Sequence, residues 1–255
     1  MDTDDVFLAT GIETRAQRPG SLKKLDEWGI SYRPIIPEDA TDAVAALVTE
    51  GDLKLLWQCL VLSFPEHGLW PVSTSGLYGD VERPWLSEEV DGKQRIRSTA
   101  EEFFTSEGNP HGEPSDTDAP VLFQRLAAAV TNGTRHELCP LHVDAGNGLV
   151  ITPVMRPADV PAAIGWQGPL NYGFTGADIS VVLRSWEDRF GAVLMGLDFD
   201  SLYVQASATP DDPEELQLLG IEHYIFCPDN IEQGSGTLEA YIPSLHDLSW
   251  GFWWD

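Results

Sequence analysis

Positive charge is what this chain has least of. Fifteen Lys and Arg face forty-one Asp and Glu over 255 residues, a formal net charge of −26. Such a field repels phosphate backbones and anionic lipid, which argues against nucleic acid or a membrane surface as a direct partner and favours a basic protein. Acid-rich surfaces also arise by adaptation to a salty cytoplasm, so the number speaks first to solubility and association. Cysteine is scarce too. Cys59, Cys139 and Cys227 are scattered and odd in number, which leaves no disulfide framework and suits a reducing compartment. No apolar run approaches the roughly 18 residues that span a bilayer. The opening Met1-Asp2-Thr3-Asp4-Asp5 is acidic where a secretory signal is basic and then apolar, so a cytoplasmic protein is expected. Also missing are a P-loop, a dinucleotide fingerprint, a Gly-x-Ser-x-Gly elbow and a His-Glu-x-x-His pair. Nothing asks for a cofactor, and the oligomeric state is left open.

What is present suffices for a core: 42% of the residues are hydrophobic, enough for one large domain or two small ones. The reading divides the chain into an α+β N-terminal region, 1–148, and a C-terminal α+β domain, 149–255. In the first part, Val6–Ala9 and Tyr32–Pro37 read as strands and Leu22–Trp28 as a short helix. Thr41 or Asp42 caps a helix through Leu47 that Gly51 ends. Leu53–Phe64 has helical spacing, and Gly68–Val72 reads as a strand entry. Glu101–Phe104 is a helical patch in a polar stretch, Gly108–Pro120 an acidic loop, and Val121–Val130 an amphipathic helix.

From Leu149 the order is more legible. Leu149–Val154 is a strand, Ala158–Ile164 a short helix, and Ile179–Phe190 a helix capped by Asp178 and stopped by Gly191. Ala192–Leu197 and Leu202–Ala206 are strands joined by a tight turn. Asp212-Pro213-Glu214-Glu215 is a clear helix start, with a cap, a proline and acids in the first turn; that helix runs to Tyr224. A short helix begins at Thr237, and Ser249–Trp254 is a terminal strand. Strand, helix, strand, strand, helix, strand is the order of a split β-α-β, ferredoxin-like antiparallel sheet covered by helices.

Several unusual words occur here in order. Leu183-Arg184-Ser185-Trp186-Glu187-Asp188-Arg189-Phe190-Gly191-Ala192 is followed by Phe226-Cys227-Pro228-Asp229-Asn230, then Gln233-Gly234-Ser235-Gly236, then Trp250-Gly251-Phe252-Trp253-Trp254-Asp255. Residues 149–255 thereby resemble a bacterial domain of unknown function frequent in actinobacteria, and Gly68–Val72 resembles an extension often attached to it. The resemblance implies a fold unit and brings no catalytic residue, cofactor or substrate.

His223, Cys227 and Asp229 are the most chemical-looking group, with Gln233 nearby. A cationic His223 in the last turn of its helix would lower the thiol pKa of Cys227 and make it a nucleophile. Against that, Cys227 follows an apolar run, and free cysteine is among the most buried residue types. His136, Cys139, His142 and Asp144 pack four possible metal ligands into nine residues, but no second arm accompanies them, and a solvated loop is the plainer reading. Trp250, Trp253 and Trp254 with Phe252 put rings on both faces of the last strand. An interior strand explains this; an open face would make the rings a binding anchor, joined by Asp229 and Gln233.

Two functions follow. The preferred one is a non-catalytic interaction module that binds a basic partner, an immunity protein against a toxin being the concrete version. It rests on charge, since residues 177–255 hold fifteen acids against only Arg184 and Arg189. The other is a small-molecule binder or hydrolase-type enzyme using His223, Cys227 and Asp229 in a cleft between the two regions.

Overall fold

Capping chemistry sets the helix starts in the computed structural model, which describes residues 12–107 and 148–255. The helices are α1 (Lys23–Glu27), α2 (Leu53–Leu62), α3 (Phe64–His67), α4 (Ala100–Glu107), α5 (Val160–Ile164), α6 (Gly176–Phe190), α7 (Pro213–Phe226) and α8 (Leu238–Tyr241). Asp212 caps α7 as read from the sequence, accepting from the N–H groups of Glu214 at 2.9 Å and Glu215 at 3.1 Å. At α6 the cap is Thr175, not Asp178. Asp178 returns the bond to the Thr175 N–H at 2.9 Å, closing a capping box that begins the helix three residues earlier than expected. Gly191, with φ of 59°, ends it in the left-handed region, where a side chain would be strained.

These helices pack on one mixed sheet of seven strands. In chain order they are β1 (Arg33–Ile35), β2 (Ala45–Val48), β3 (Leu69–Thr74), β4 (Gly148–Pro153), β5 (Val193–Leu197), β6 (Ser201–Gln205) and β7 (Ser249–Trp253). In space the order is β1-β2-β4-β3-β5-β6-β7, antiparallel throughout except where β3 meets β5 at Ser73 and Gly196. The α+β class holds, but this is not the split β-α-β order. β7 lies beside β6 rather than beside β4, and β3 separates β4 from β5. β4, the first strand of the C-terminal stretch, thus pairs only with β2 and β3, strands of the preceding stretch.

Among the described residues burial explains the one helix that the sequence reading misplaces; the expected strand Val6–Ala9, loop Gly108–Pro120 and helix Val121–Val130 lie outside them. Ala45, Ala46, Leu47 and Val48 are all buried and form β2, between β1 and β4, where a helix was expected. A strand buried along its whole length shows no alternation, and one of its two partners, β4, lies about a hundred residues away, so local spacing carries no signal for it. The short β3–β5 junction is reinforced from the side. Buried Trp70 donates its indole N–H to the Leu194 carbonyl at 2.8 Å, and the Ser73 hydroxyl donates to Met195 at 3.2 Å.

At the other end of the sheet β7 alternates, with Trp250 and Phe252 buried and Ser249, Gly251 and Trp253 exposed. It is therefore an edge strand with one open face, not the interior strand expected from its rings. Trp254 follows the strand and turns inward against Phe226 and Trp166, with ring centroids at 5.3 and 5.6 Å. Trp186 of α6 stacks on Phe252 at 5.3 Å and meets Phe226 of α7 at 4.9 Å, so α6, α7 and β7 share one aromatic core. Phe252→Ala should destabilise the protein by about 3–5 kcal/mol, the usual cost of emptying a buried aromatic site. Urea unfolding monitored by tryptophan fluorescence measures it; a loss below about 1 kcal/mol would mean that β7 is not packed as described.

Candidate functional site

The residues singled out as chemical, Phe226 to Asn230, sit where α7 runs out against the end of β7. Four bonds join the two segments. The Trp254 indole donates to the Phe226 carbonyl at 3.1 Å, the Cys227 thiol to the Trp253 carbonyl at 2.9 Å, the Asn230 amide to the Gly251 carbonyl at 2.7 Å, and the Asp255 N–H to Asp229 Oδ2 at 2.9 Å. Gly251 and Trp253 belong to an edge strand, whose outward carbonyls otherwise need water or a partner chain. The Cys-Pro-Asp-Asn word is thus a cover for that edge.

Each group is tuned accordingly. Burial pushes the Cys227 thiol up to about 12, partly offset by its bonds to Asn230 and Trp253. A protonated thiol is a donor and a poor nucleophile. Burial also raises the pKa of Asp229, but bonds from the Asp255 N–H, the Tyr172 hydroxyl and the Gln233 amide outweigh it and hold the carboxyl below its ordinary value. Tyr172 and Gln233 both reach Asp229 Oδ1 at 2.7 Å. The Gln233 side of this contact comes from a π-helical turn, Asn230–Ser235.

His223 is fully buried among Trp186, Trp250 and Phe252, with centroids 4.6 to 4.9 Å away. Burial, helped by the nearby Arg189 charge, lowers its pKa to about 3, so it is neutral at pH 7. The helix dipole that would favour a cationic imidazole is overridden by desolvation. Its Nδ1 meets the Tyr241 hydroxyl at 3.0 Å, and among the described residues its Nε2 has no partner. No side-chain hydrogen bond joins His223 to Cys227; their polar contacts connect only through Asn230 and Tyr241. Below them Glu222, also buried, accepts from the Trp186 indole at 2.8 Å and pairs with Arg189.

An open concavity lies elsewhere among the described residues. A cleft of about 700 Å³ runs between α4 and the start of α6, with Arg95, Arg97, Phe103, Tyr172 and Phe174 among its walls. A 3-10 turn, Leu170–Tyr172, carries Tyr172 to it, and Gly173, with φ of 77°, reverses the chain there. The cleft lies between segments from the two parts of the chain, as expected of a site, but His223, Cys227 and Asp229 do not line it. Tyr172 is the link: its ring faces the cleft and its hydroxyl holds Asp229. Of the expected binding residues, Trp250 and Trp254 are core, Asp229 and Gln233 serve the edge cover, and Trp253 is 36% exposed. His136, Cys139, His142 and Asp144 lie outside the described residues, and among those described no cluster of His, Cys, Asp and Glu could hold a metal.

Sequence reasoning missed Arg95, Arg97 and Tyr172. The usable signals were two capping boxes, Thr99-x-x-Glu102 and Thr175-x-x-Asp178, which place helix starts on opposite sides of one space.

Two measurements follow. In the native protein iodoacetamide should label exposed Cys59 and leave Cys227 untouched until guanidinium is added, read by peptide mass spectrometry; native labelling of Cys227 would refute the burial. Acid should destabilise the fold through His223, because the unfolded imidazole binds a proton near its ordinary 6.5 while the folded one resists to about 3. Its contribution is present in full above 6.5 and is lost as pH falls through that window, with a slope of up to about 1.4 kcal/mol per pH unit. His223→Phe should flatten urea stability between these limits. An unchanged slope would show that His223 is not buried neutral.

No curated protein and no solved structure matches the chain. No helix among the described residues is long and apolar enough to cross a membrane. Residues 148–255, from β4 through the Phe226–Asn230 clasp to the last residue, match the family described as Domain of unknown function (DUF4253), and the chain carries that domain there.

Proposed function

We propose that this is a non-catalytic cytoplasmic binding protein whose C-terminal domain, residues 149–255, engages a basic protein surface in the manner of an immunity protein. The observation that carries the reading is how that segment's charge is spent. Both cations after residue 177 are paired, Arg184 with Asp159 and Arg189 with Glu222. Asp211, Glu239, Asp247 and Asp255 meanwhile face solvent. A surface with acids outside and cations engaged steers a basic partner and repels nucleic acid.

An anchor is available beside this charge. On the open face of β6 and β7, Trp253 is 36% exposed and Tyr203 38%, and the Tyr203 ring lies 3.5 Å from where a Gly251 Cβ would stand. Tryptophan and tyrosine are the residues that most often dominate interface energy. The thiol and imidazole, by contrast, are neutral and enclosed, which removes the support for a nucleophilic mechanism.

Immobilised protein should capture a basic protein from native lysate at low salt and release it at high salt. The triple variant Asp211→Asn, Glu239→Gln, Asp247→Asn should weaken capture about tenfold, or about 1.4 kcal/mol. Absence of any salt-sensitive partner, or indifference to the triple variant, would end this reading.

A further inference from the structure

The cleft between α4 and α6 is lined by two arginines, Arg95 and Arg97, as well as by two acids, Glu102 and Asp178, in a molecule that is otherwise strongly acidic. Of the described arginines, Arg15, Arg33, Arg83, Arg156, Arg184 and Arg189 each hold a carboxylate, while Arg18, on the surface away from the cleft lining, holds none. Arg95 and Arg97, both exposed and both lining the cleft, form no ion pair or hydrogen bond among the described residues. In a chain with forty-one acids this needs a reason.

Two acids stand at the same cleft, Glu102 and Asp178, and both are engaged elsewhere. Glu102 accepts from the Thr99 N–H at 2.8 Å, at the start of α4. Asp178 accepts from the Thr175 N–H at 2.9 Å and hydroxyl at 2.6 Å, at the start of α6. The helix starts thus engage the local carboxylates as caps and leave the two guanidinium groups without a carboxylate partner. Three aromatic residues also line it: Phe103 meets Phe174 edge-on at 5.1 Å, and Phe174 lies 6.4 Å from Tyr172. At about 700 Å³ the volume falls within the roughly 300–1,000 Å³ typical of small-molecule sites.

We propose that this cleft binds a small organic anion, its carboxylate or phosphate on Arg95 and Arg97 and its flat apolar body against Phe103, Tyr172 and Phe174. A guanidinium takes an oxyanion through two parallel N–H bonds, and the rings supply contact area for an apolar body. This site is separate from the acidic surface proposed above; either can fail without the other.

Calorimetric titration of the full chain with phenyl phosphate, benzoate, inorganic phosphate and benzyl alcohol tests it. Saturable binding of phenyl phosphate or benzoate is expected, at least tenfold tighter than benzyl alcohol or inorganic phosphate. Whichever of the two aryl anions binds more tightly assigns the headgroup. The double variant Arg95→Gln, Arg97→Gln should lose at least tenfold in affinity, whereas Lys54→Gln, an exposed cation on α2, should lose nothing. A circular dichroism melt of each variant checks folding. No binding of either aryl anion, equal binding of benzyl alcohol, or an unaffected double variant would overturn the proposal.

Discussion

Four hydrogen bonds between residues 226–230 and 251–255 close the sheet, and the architecture of the C-terminal half depends on them. β7 brings its buried face, Trp250 and Phe252, to the aromatic core beneath α6 and α7. It can stay there only if its outer edge is satisfied. Water could do this, but an edge left to water is also open to another strand. Here a thiol and an amide from the end of α7 take the two carbonyls, and the following turn holds the last residue's N–H on a carboxylate. The bonds are individually worth only about 1 kcal/mol, yet Cys227, Asp229 and Asn230 are buried residues, so losing a partner there leaves a polar group short of a bond that water does not readily replace.

The same logic governs charge. Glu187 and Glu222 are buried acids on α6 and α7, and each is matched by arginine. Glu187 receives Arg15 and Arg156, which come from outside α6 and so pin the strand-to-helix segment and the early chain to it. With so few cations, spending Arg15, Arg156 and Arg189 on buried carboxylates leaves fewer to offset the acids at the surface. An unpaired buried charge costs several kcal/mol, whereas an exposed acid costs little, so the interior has first claim on arginine. The two arginines at the α4–α6 cleft, like Arg18, hold no carboxylate among the described residues.

How much of this could be read from residues alone follows the range of the interactions. Asp212-Pro213-Glu214-Glu215 announces α7 because a cap is a contact over three residues. β6 and β7 show alternation because one face is wet. β2 shows nothing, since Ala45 to Val48 are all buried, without alternation, and one of the strands beside them, β4, is distant in sequence. His223, Cys227 and Asp229 were legible as neighbours, but their state was not. Adjacency suggests a cationic imidazole beside a thiol, whereas the fold supplies three aromatic rings to one and a backbone carbonyl to the other. The cleft was hidden for a related reason: Arg95 and Arg97 sit in a polar stretch without period, and only the spatial meeting of two capping boxes leaves them unmatched.

Tyr172 ties these levels together. Its ring is a wall of the cleft, and its hydroxyl is one of three donors on Asp229. Burial and the Asp229 charge raise its pKa far above the ordinary phenol value, so it remains a donor at any physiological pH. Asp229 in turn fixes the Asp255 N–H, beyond the end of β7. A displacement of the Tyr172 ring by a group in the cleft removes a donor from a buried carboxylate, and the nearest place to recover that bond is a solvent molecule admitted at the clasp. Tyr172 is therefore shared between the lining of the cleft and the hydrogen bonds that cover β7.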